Sequence, residues 1–478
     1  MPPFLANLVY AGGIAALFYL DRDNSIRTSK ALWLPVAYLW ILGSRSLSAW
    51  LGVTPTGTNV QLEGSPIDAA FYTILFIGAA SVLVLRRPRI IALLNANFPI
   101  LIYFAFCLFS VIWSAYPGVA FKRWFKAVGD VVMILIVVTD EQPVAALRRL
   151  LSRLGFVLLP LSLLFIKYYP NLGRYYGAWN GEQINIGVTQ DKNVLGVIAF
   201  VLSLGAVWRF LALYADKNLP DRRRHLLAQG TLLVIGVWLL MLANSATSLV
   251  SFVLGAGLML ATRRPFVIRN PAAVHVLVLL LAVAAGLVLA LGGGASAAAA
   301  LGRNSTLTGR TDIWAAVIPM AANPLIGAGF ESFWLNPLVH QRLDALIPNL
   351  PLNEAHDGYL EVYLNLGWVG VLLIVLLLTD AYRRAVKAFR HEPAFGSLLL
   401  AYVLTAATYN ITEAGFRLLS ITWIFLLLSV AEANVILARV SVGTSQTEGP
   451  SDRSRDLPAR NVQTAARRLT NYDWKGLR

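Results

Sequence analysis

The stretch Asn353-Glu354-Ala355-His356-Asp357-Gly358-Tyr359-Leu360-Glu361 sets one imidazole among three acids, where a long polar segment meets an apolar run. Imidazole has an ordinary pKa of about 6.5, so its neutral form accepts a proton at ambient pH, and Glu354 or Asp357 would orient the ring. His356 is the candidate general base. The competing reading makes it a helix-start residue, with Asp357 as a capping or first-turn acid. Glu361 falls about one turn beyond Asp357 on the same helix face, where it lines a cavity or makes a buried polar contact. No other histidine has such company: His225 and His391 lie in basic connectors, His275 in an apolar run and His340 mid-loop.

The second set of candidate residues is cationic. Arg303, Arg310 and Arg342 share the polar segment before His356, Arg174 and Lys192 occupy a shorter one, Lys122, Arg123 and Lys126 begin an apolar run, and Arg417 precedes the last. A guanidinium binds phosphate through two parallel charged hydrogen bonds, so a pocket lined this way suits a membrane-embedded diphosphate. The plainer reading is that these side chains snorkel to headgroups or pair with Asp191, Asp312 and Glu331. The outer loops hold no acid cluster spaced for magnesium, so no metal and no other cofactor is expected.

The elements that must position these residues are membrane helices. Of 478 residues 57% are hydrophobic and 14% charged, and apolar runs of bilayer length recur along the chain. The runs are Phe4–Leu20, Ala31–Ala49, Ile67–Leu85, Phe98–Trp113, Phe121–Val138, Ser152–Tyr168, Asn193–Phe210, Leu226–Leu242, Thr247–Ala261, Ala272–Leu291, Gly358–Leu378, Phe395–Tyr409 and Leu418–Ala438. They predict an all-α, polytopic transmembrane helical bundle of about 12–13 spans. The formal charge of +15 sits largely in connectors and in the tail, which reads as topology and not as nucleic-acid binding. Arg22, Arg27 and Lys30, then Arg86, Arg87 and Arg89, then Arg148, Arg149 and Arg153 alternate with less basic connectors and are expected on the cytoplasmic side. Met1 would then be outside, and the first run, which lacks a basic leader, would be retained as a helix.

This topology leaves two long outer loops, Tyr169–Lys192 and the large segment between late helices, residues 292–356. In the second, Ile313, Trp314, Val317 and Ile318 are expected to face the membrane surface from a short helix. Tyr175, Tyr176, Trp179, Trp314, Phe330, Phe333 and Trp334 are candidates to stack on sugar rings, or else belong to the interfacial aromatic belt. The transmembrane domain is expected to occupy residues 1–439, with a disordered basic cytoplasmic tail over 440–478. Cys107 is the single cysteine and lies in an apolar run, which excludes an internal disulfide framework.

His356-Asp357, then nine residues, then Gly367 and Gly370, resembles the His-Asn/Ser/Gln, nine-residue, Gly-x-x-Gly motif of the O-antigen ligase and polysaccharide polymerase superfamily. Further pieces agree in order: Trp113-Ser114-Ala115-Tyr116-Pro117 with Arg123, Gly187 with Lys192-Asn193 and Gly196, Gly309-Arg310-Thr311-Asp312-Ile313-Trp314, and Gly327-Ala328-Gly329-Phe330. They define a core over residues 113–370 and are most similar to the exopolysaccharide-polymerase branch. The resemblance implies metal-independent glycosyl transfer from an undecaprenyl-diphosphate-linked glycan to a hydroxyl, on the periplasmic face of a bacterial inner membrane. It gives His356 the role of base and Arg310 that of diphosphate ligand. Asp357 departs from the family's usual second position. A second family arginine is absent, because Asn244-Ser245-Ala246-Thr247 carries alanine there, and Lys192, Arg174 or Arg123 is expected to supply that charge. The expected partners are the lipid-linked glycan, membrane lipid, a chain-length regulator and export proteins. A ligase passing a finished glycan to another acceptor is the alternative within the same chemistry. A transporter or flippase is the alternative outside it, weakened by the lack of an internal repeat and by charges that gather at helix ends.

Overall fold

The computed structural model describes residues 2–23, 26–53, 64–176, 181–290, 308–346 and 353–447. Each apolar run named above is helical over most of its length within them, the main exception being Ala31–Ala49, which breaks after Leu42. In chain order the helices are α1 Pro3–Leu20, α2 Lys30–Leu42, α3 Pro66–Leu85, α4 Arg87–Ala96, α5 Phe98–Trp113, α6 Pro117–Val138, α7 Pro143–Tyr168, α8 Lys192–Ala215, α9 Arg222–Ala243, α10 Ala246–Ala261, α11 Pro271–Ala290, α12 Thr308–Val317, α13 Pro337–Leu346, α14 Gly358–His391, α15 Pro393–Tyr409 and α16 Ile421–Thr447. Many open on proline, whose fixed φ suits the first helical turn and whose missing N–H is no loss there. Among the described residues seven are long and apolar enough by themselves to cross a bilayer: α1, α3, α7, α8, α9, α14 and α16. The chain is a multi-pass, all-α membrane protein. The inner helices α7, α8 and α16 are largely buried, whereas α1 and α3 turn most of their apolar side chains outward, which is stable only against lipid.

The two ends of the bundle differ in charge. At one end Arg148 pairs with Asp23 at 3.0 Å, Arg149 donates to Thr28 Oγ1 at 2.7 Å, and Asp21 accepts from Ser152 at 2.9 Å and Gln229 at 3.1 Å. The Arg86–Arg89 connector at this end is a helix, α4, meeting α5 at 86°. Arg86 and Arg89 pin it by donating at 3.1 Å to the hydroxyl and carbonyl of Thr139 at the end of α6. The basic tail begins as a continuation of α16 to Thr447, and residues 448–478 lie outside the described residues.

The opposite end carries the heads of α6, α8, α14 and α16 and the foot of α15. The loop Tyr169–Lys192 is not wholly irregular: β1 Arg174–Tyr176 pairs antiparallel with β2 Gln183–Asn185, in the register Arg174 to Asn185. The expectation that Ile313 and Val317 meet the membrane surface is corrected. Both are buried in a small satellite core with Phe333, Val339, Leu343, Ala355 and Leu364, because α13 and the head of α14 cover that face of α12.

A backbone lock ties this end together. Helix α14 breaks at Gly367, whose φ of 64° and ψ of −167° are non-helical. The break frees backbone groups that need new partners inside an apolar bundle. The 324–329 loop takes them up: Trp368 N–H donates to Pro324 O at 2.8 Å and Val369 N–H to Leu325 O at 3.1 Å, while Ala328 and Gly329 N–H donate to Leu364 O at 3.0 Å and Asn365 O at 2.8 Å. The approach leaves no room for a Cβ. One at Gly367 would lie 2.2 Å from Leu325 C, and one at Gly327 would lie 2.3 Å from Asn365 C. The Trp113-Ser114 segment docks on the same loop, with Trp113 Nε1 donating to Ile326 O at 3.2 Å and Ser114 Oγ 2.7 Å from Ser332 Oγ.

Candidate active site

His356 sits between the satellite core and the head of α14, held from both sides. On one side Trp314 Nε1 donates to Ala355 O at 2.8 Å. On the other the buried Glu361 carboxylate accepts from Ala355 N–H at 2.5 Å and from Trp334 Nε1 at about 3 Å. Asp357 caps α14, accepting from Leu360 N–H at 2.8 Å, and burial pushes its carboxyl up from the ordinary range. Asp357 thus caps the helix and Glu361 holds the backbone beside His356, and neither engages the imidazole ring. Gly358 is obligatory here, because a Cβ would fall 1.9 Å from Asn410 Oδ1. His356 itself has a φ of 52°, a left-handed conformation that a residue with a side chain adopts at a cost and that marks functional sites.

The ring closes an alternating chain of charges. Arg310 pairs with Glu413 Oε1 at 2.7 Å and donates to Thr412 O. Glu413 Oε2 lies 3.5 Å from His356 Nδ1, Glu354 Oε1 lies 2.9 Å from the same nitrogen, and Glu354 Oε2 takes Arg417 Nη1 at 3.0 Å. Nδ1 makes these approaches as ion pairs, without an aligned hydrogen bond. Burial opposes charging of the ring, but the two carboxylates outweigh it and raise its pKa to about 9. Glu354 is held below the ordinary carboxylate range: burial alone would raise it, and His356 and Arg417 more than compensate. The two carboxylates therefore favour the imidazolium over the neutral imidazole expected from the sequence.

This chain borders a cavity of about 1170 Å³. Arg123, Lys122 and Lys126 from α6 and Arg417 bring cations to it. Arg123 also donates to Glu331 O. Apolar and aromatic side chains line it as well, Tyr72 and Phe76 of α3, Phe121 and Phe125 of α6 and Val197 of α8. Asp191 caps α8, and Asn193 points its amide at Glu413 Oε2, 3.4 Å away.

Of the sequence candidates, the structure brings together His356, Glu354, Arg310, Asp357, Glu361 and Arg123. It does not bring Arg174 or Lys192 into the lining. Arg174 donates to Ile166 O at 2.6 Å and Gln183 Oε1 at 3.1 Å, fastening the hairpin to the end of α7. Lys192 is the first residue of α8 and stands beside the lining residues Asp191 and Asn193. Arg303 and Trp179 lie outside the described residues. Stacking on sugars is ruled out for Phe330 and Phe333, which are buried, and Trp334 is engaged by Glu361; Tyr175 and Tyr176 remain exposed. Sequence reasoning missed Glu413, which no motif announces. Arg417, Lys122 and Lys126 carried a signal as basic residues on the less basic side.

Glu354, His356 and Glu413 also present ligand atoms within 4.8 Å of one another, a spacing a divalent ion would accept. Each acid already holds a guanidinium, so a cation entering here would displace Arg417 and Arg310 or meet their repulsion.

Comparison with known proteins fits this arrangement. Residues 231–375 match the family model described as O-Antigen ligase. Over 300 residues the chain is 28% identical to the exopolysaccharide production protein ExoQ of Rhizobium meliloti (strain 1021), covering 60% of this chain and 66% of that relative. The resemblance to the O-antigen ligase superfamily, in its exopolysaccharide-associated branch, holds.

Proposed function

We propose that this O-antigen ligase-like chain is a membrane glycosyltransferase that polymerises undecaprenyl-diphosphate-linked repeat units into an exopolysaccharide on the periplasmic face. The observation that carries the reading is the Arg310–Glu413–His356–Glu354–Arg417 chain bordering a cavity lined by both cationic and apolar side chains. Such a cavity suits a donor whose diphosphate joins a sugar to an isoprenoid.

In this reading the acceptor sugar hydroxyl attacks the anomeric carbon, the new C–O bond forms as the bond to the diphosphate oxygen breaks, and the hydroxyl proton passes to His356. The lipid diphosphate leaves with the electron pair, and fixed cations stabilise the charge it gains. Arg123, Lys122, Lys126 and Arg417 are the groups placed for this in the cavity, with Arg310 behind Glu413. His356 is ready as a base only in its neutral form, so a proton must leave the ring before each attack. Attack opposite the leaving group inverts the anomeric centre.

The test is reconstitution of the purified full-length protein with a single purified lipid-linked repeat unit. Chain growth without another acceptor supports the polymerase. Absence of growth, with transfer restored by a second acceptor, makes the protein a ligase. A His356→Ala protein that inserts, binds donor and still makes polymer of unchanged length and yield would remove the base assignment.

A further inference from the structure

At the end of the bundle opposite His356, a second cavity of about 310 Å³ opens between the foot of α8, the head of α7 and the end of α16. Its lining brings three guanidiniums, Arg148, Arg209 and Arg439, against one carboxylate, Glu141. At this end Arg86, Arg89 and Arg149 donate to groups inside the protein and Arg148 pairs with Asp23, while Arg153 Nη1 and Arg224 Nε, outside the cavity, are buried without a hydrogen-bond partner. Here two donors are left over. Trp208 is 6% exposed and its Nε1 is buried with no hydrogen-bond partner, as is Arg209 Nε. A buried N–H without an acceptor is costly, and two on neighbouring residues in one cationic cavity call for a ligand rich in acceptors and negative charge. The remaining walls are the apolar Ile26, Val144 and Ala145 and the amide side chain of Gln142.

The end of the bundle selects the source of that ligand. The cavity lies at the end that carries Arg86, Arg89, Arg148 and Arg149, and basic residues at such an end meet anionic lipid headgroups, where tryptophan also concentrates. We propose that this cavity binds a phosphate group, supplied by the headgroup of an anionic membrane lipid, on Arg209, Trp208, Arg148 and Arg439. The site is independent of the glycosyl-transfer reading. It gives the basic end of the bundle a stoichiometric lipid that bridges α7, α8 and α16, the helices that also form the interior of the protein.

The experiment uses the full-length protein, delipidated in detergent, with phosphatidylglycerol, phosphatidylcholine and inorganic phosphate each added and binding read by native mass spectrometry and thermal unfolding. Phosphatidylglycerol is expected to bind with one-to-one stoichiometry, at least about tenfold more tightly than phosphatidylcholine, and to raise the unfolding temperature. Arg209→Gln is expected to weaken it about tenfold, the loss of one charged hydrogen bond. Arg439→Gln, at an exposed position on α16 where folding is not at stake, is expected to do the same in direction, and Arg87→Gln, at the same end of the bundle but outside the cavity, to change nothing. Inorganic phosphate that binds alone and is lost in Arg209→Gln supports the phosphate site while assigning it to free anion. Equal affinity for the two lipids, or an equal loss in Arg87→Gln and Arg209→Gln, would overturn the proposal.

Discussion

A histidine flanked by carboxylates has two lives, as a base and as a fixed cation, and here they are separated by pH. Because the folded protein raises His356 to about 9 from an ordinary value of about 6.5, its contribution to stability is complete below pH 6.5 and is lost as pH rises through about 9. Catalysis by the neutral ring runs the other way. The kcat/KM for donor should climb with pH towards a plateau above about 9, and a profile flat from pH 6 to 9 would show that the ring works as a cation. Glu413→Gln removes one of the two carboxylates, so it should move the rise in that profile to lower pH, whereas a purely structural role would lower the rate without moving the curve. His356→Ala should reduce polymer formation by about 10²- to 10⁴-fold, the usual worth of a positioned general base, with donor binding retained. Chelators should leave the rate unchanged, because Arg310 and Arg417 already neutralise the two acids that would hold an ion.

Among the elements, α14 and the 324–329 loop behave as one piece. Gly367→Ala forces a Cβ into the Leu325 backbone at a residue whose φ is 64°, a conformation that costs alanine about 1–3 kcal/mol before the clash is counted. The expected result is a protein that inserts but unfolds at lower temperature and makes little polymer. Gly327→Ala meets the same interface from the other side. Since both changes break a single contact, the double variant should be little worse than either single one, and full additivity in thermal unfolding would show the two glycines to be independent. The Gly-x-x-Gly spacing was legible as a motif in the sequence. Its reason was not, because the loop that needs the absent Cβ lies about forty residues earlier in the chain.

For the molecule as a whole, the charge difference between the two ends predicts orientation. In a Cys107→Ser background, Asp344→Cys on α13 should react with a membrane-impermeant maleimide added to intact spheroplasts, and Lys217→Cys beyond the foot of α8 only after lysis. Labelling of both from the same side, or in the reverse order, would refute the periplasmic placement of the His356 cavity.

By itself the sequence determined the solvent of this protein and the neighbourhood of its chemistry. Runs of bilayer length can only be satisfied as helices, since lipid offers no partner to the backbone, and the basic connectors sort those helices by end. The local run of residues pointed to His356 and Glu354, and charge placement together with the family resemblance pointed to Arg310. Tertiary structure decided which charges face one another. Glu413 and Arg417 come from a turn between two later helices, so nothing local links them to His356; Arg174 went to a hairpin and Ala246 to an exposed helix head. The upward pull on the His356 pKa has the same origin, because it depends on carboxylates within a few ångströms, and distance in space is what a linear order of residues does not contain.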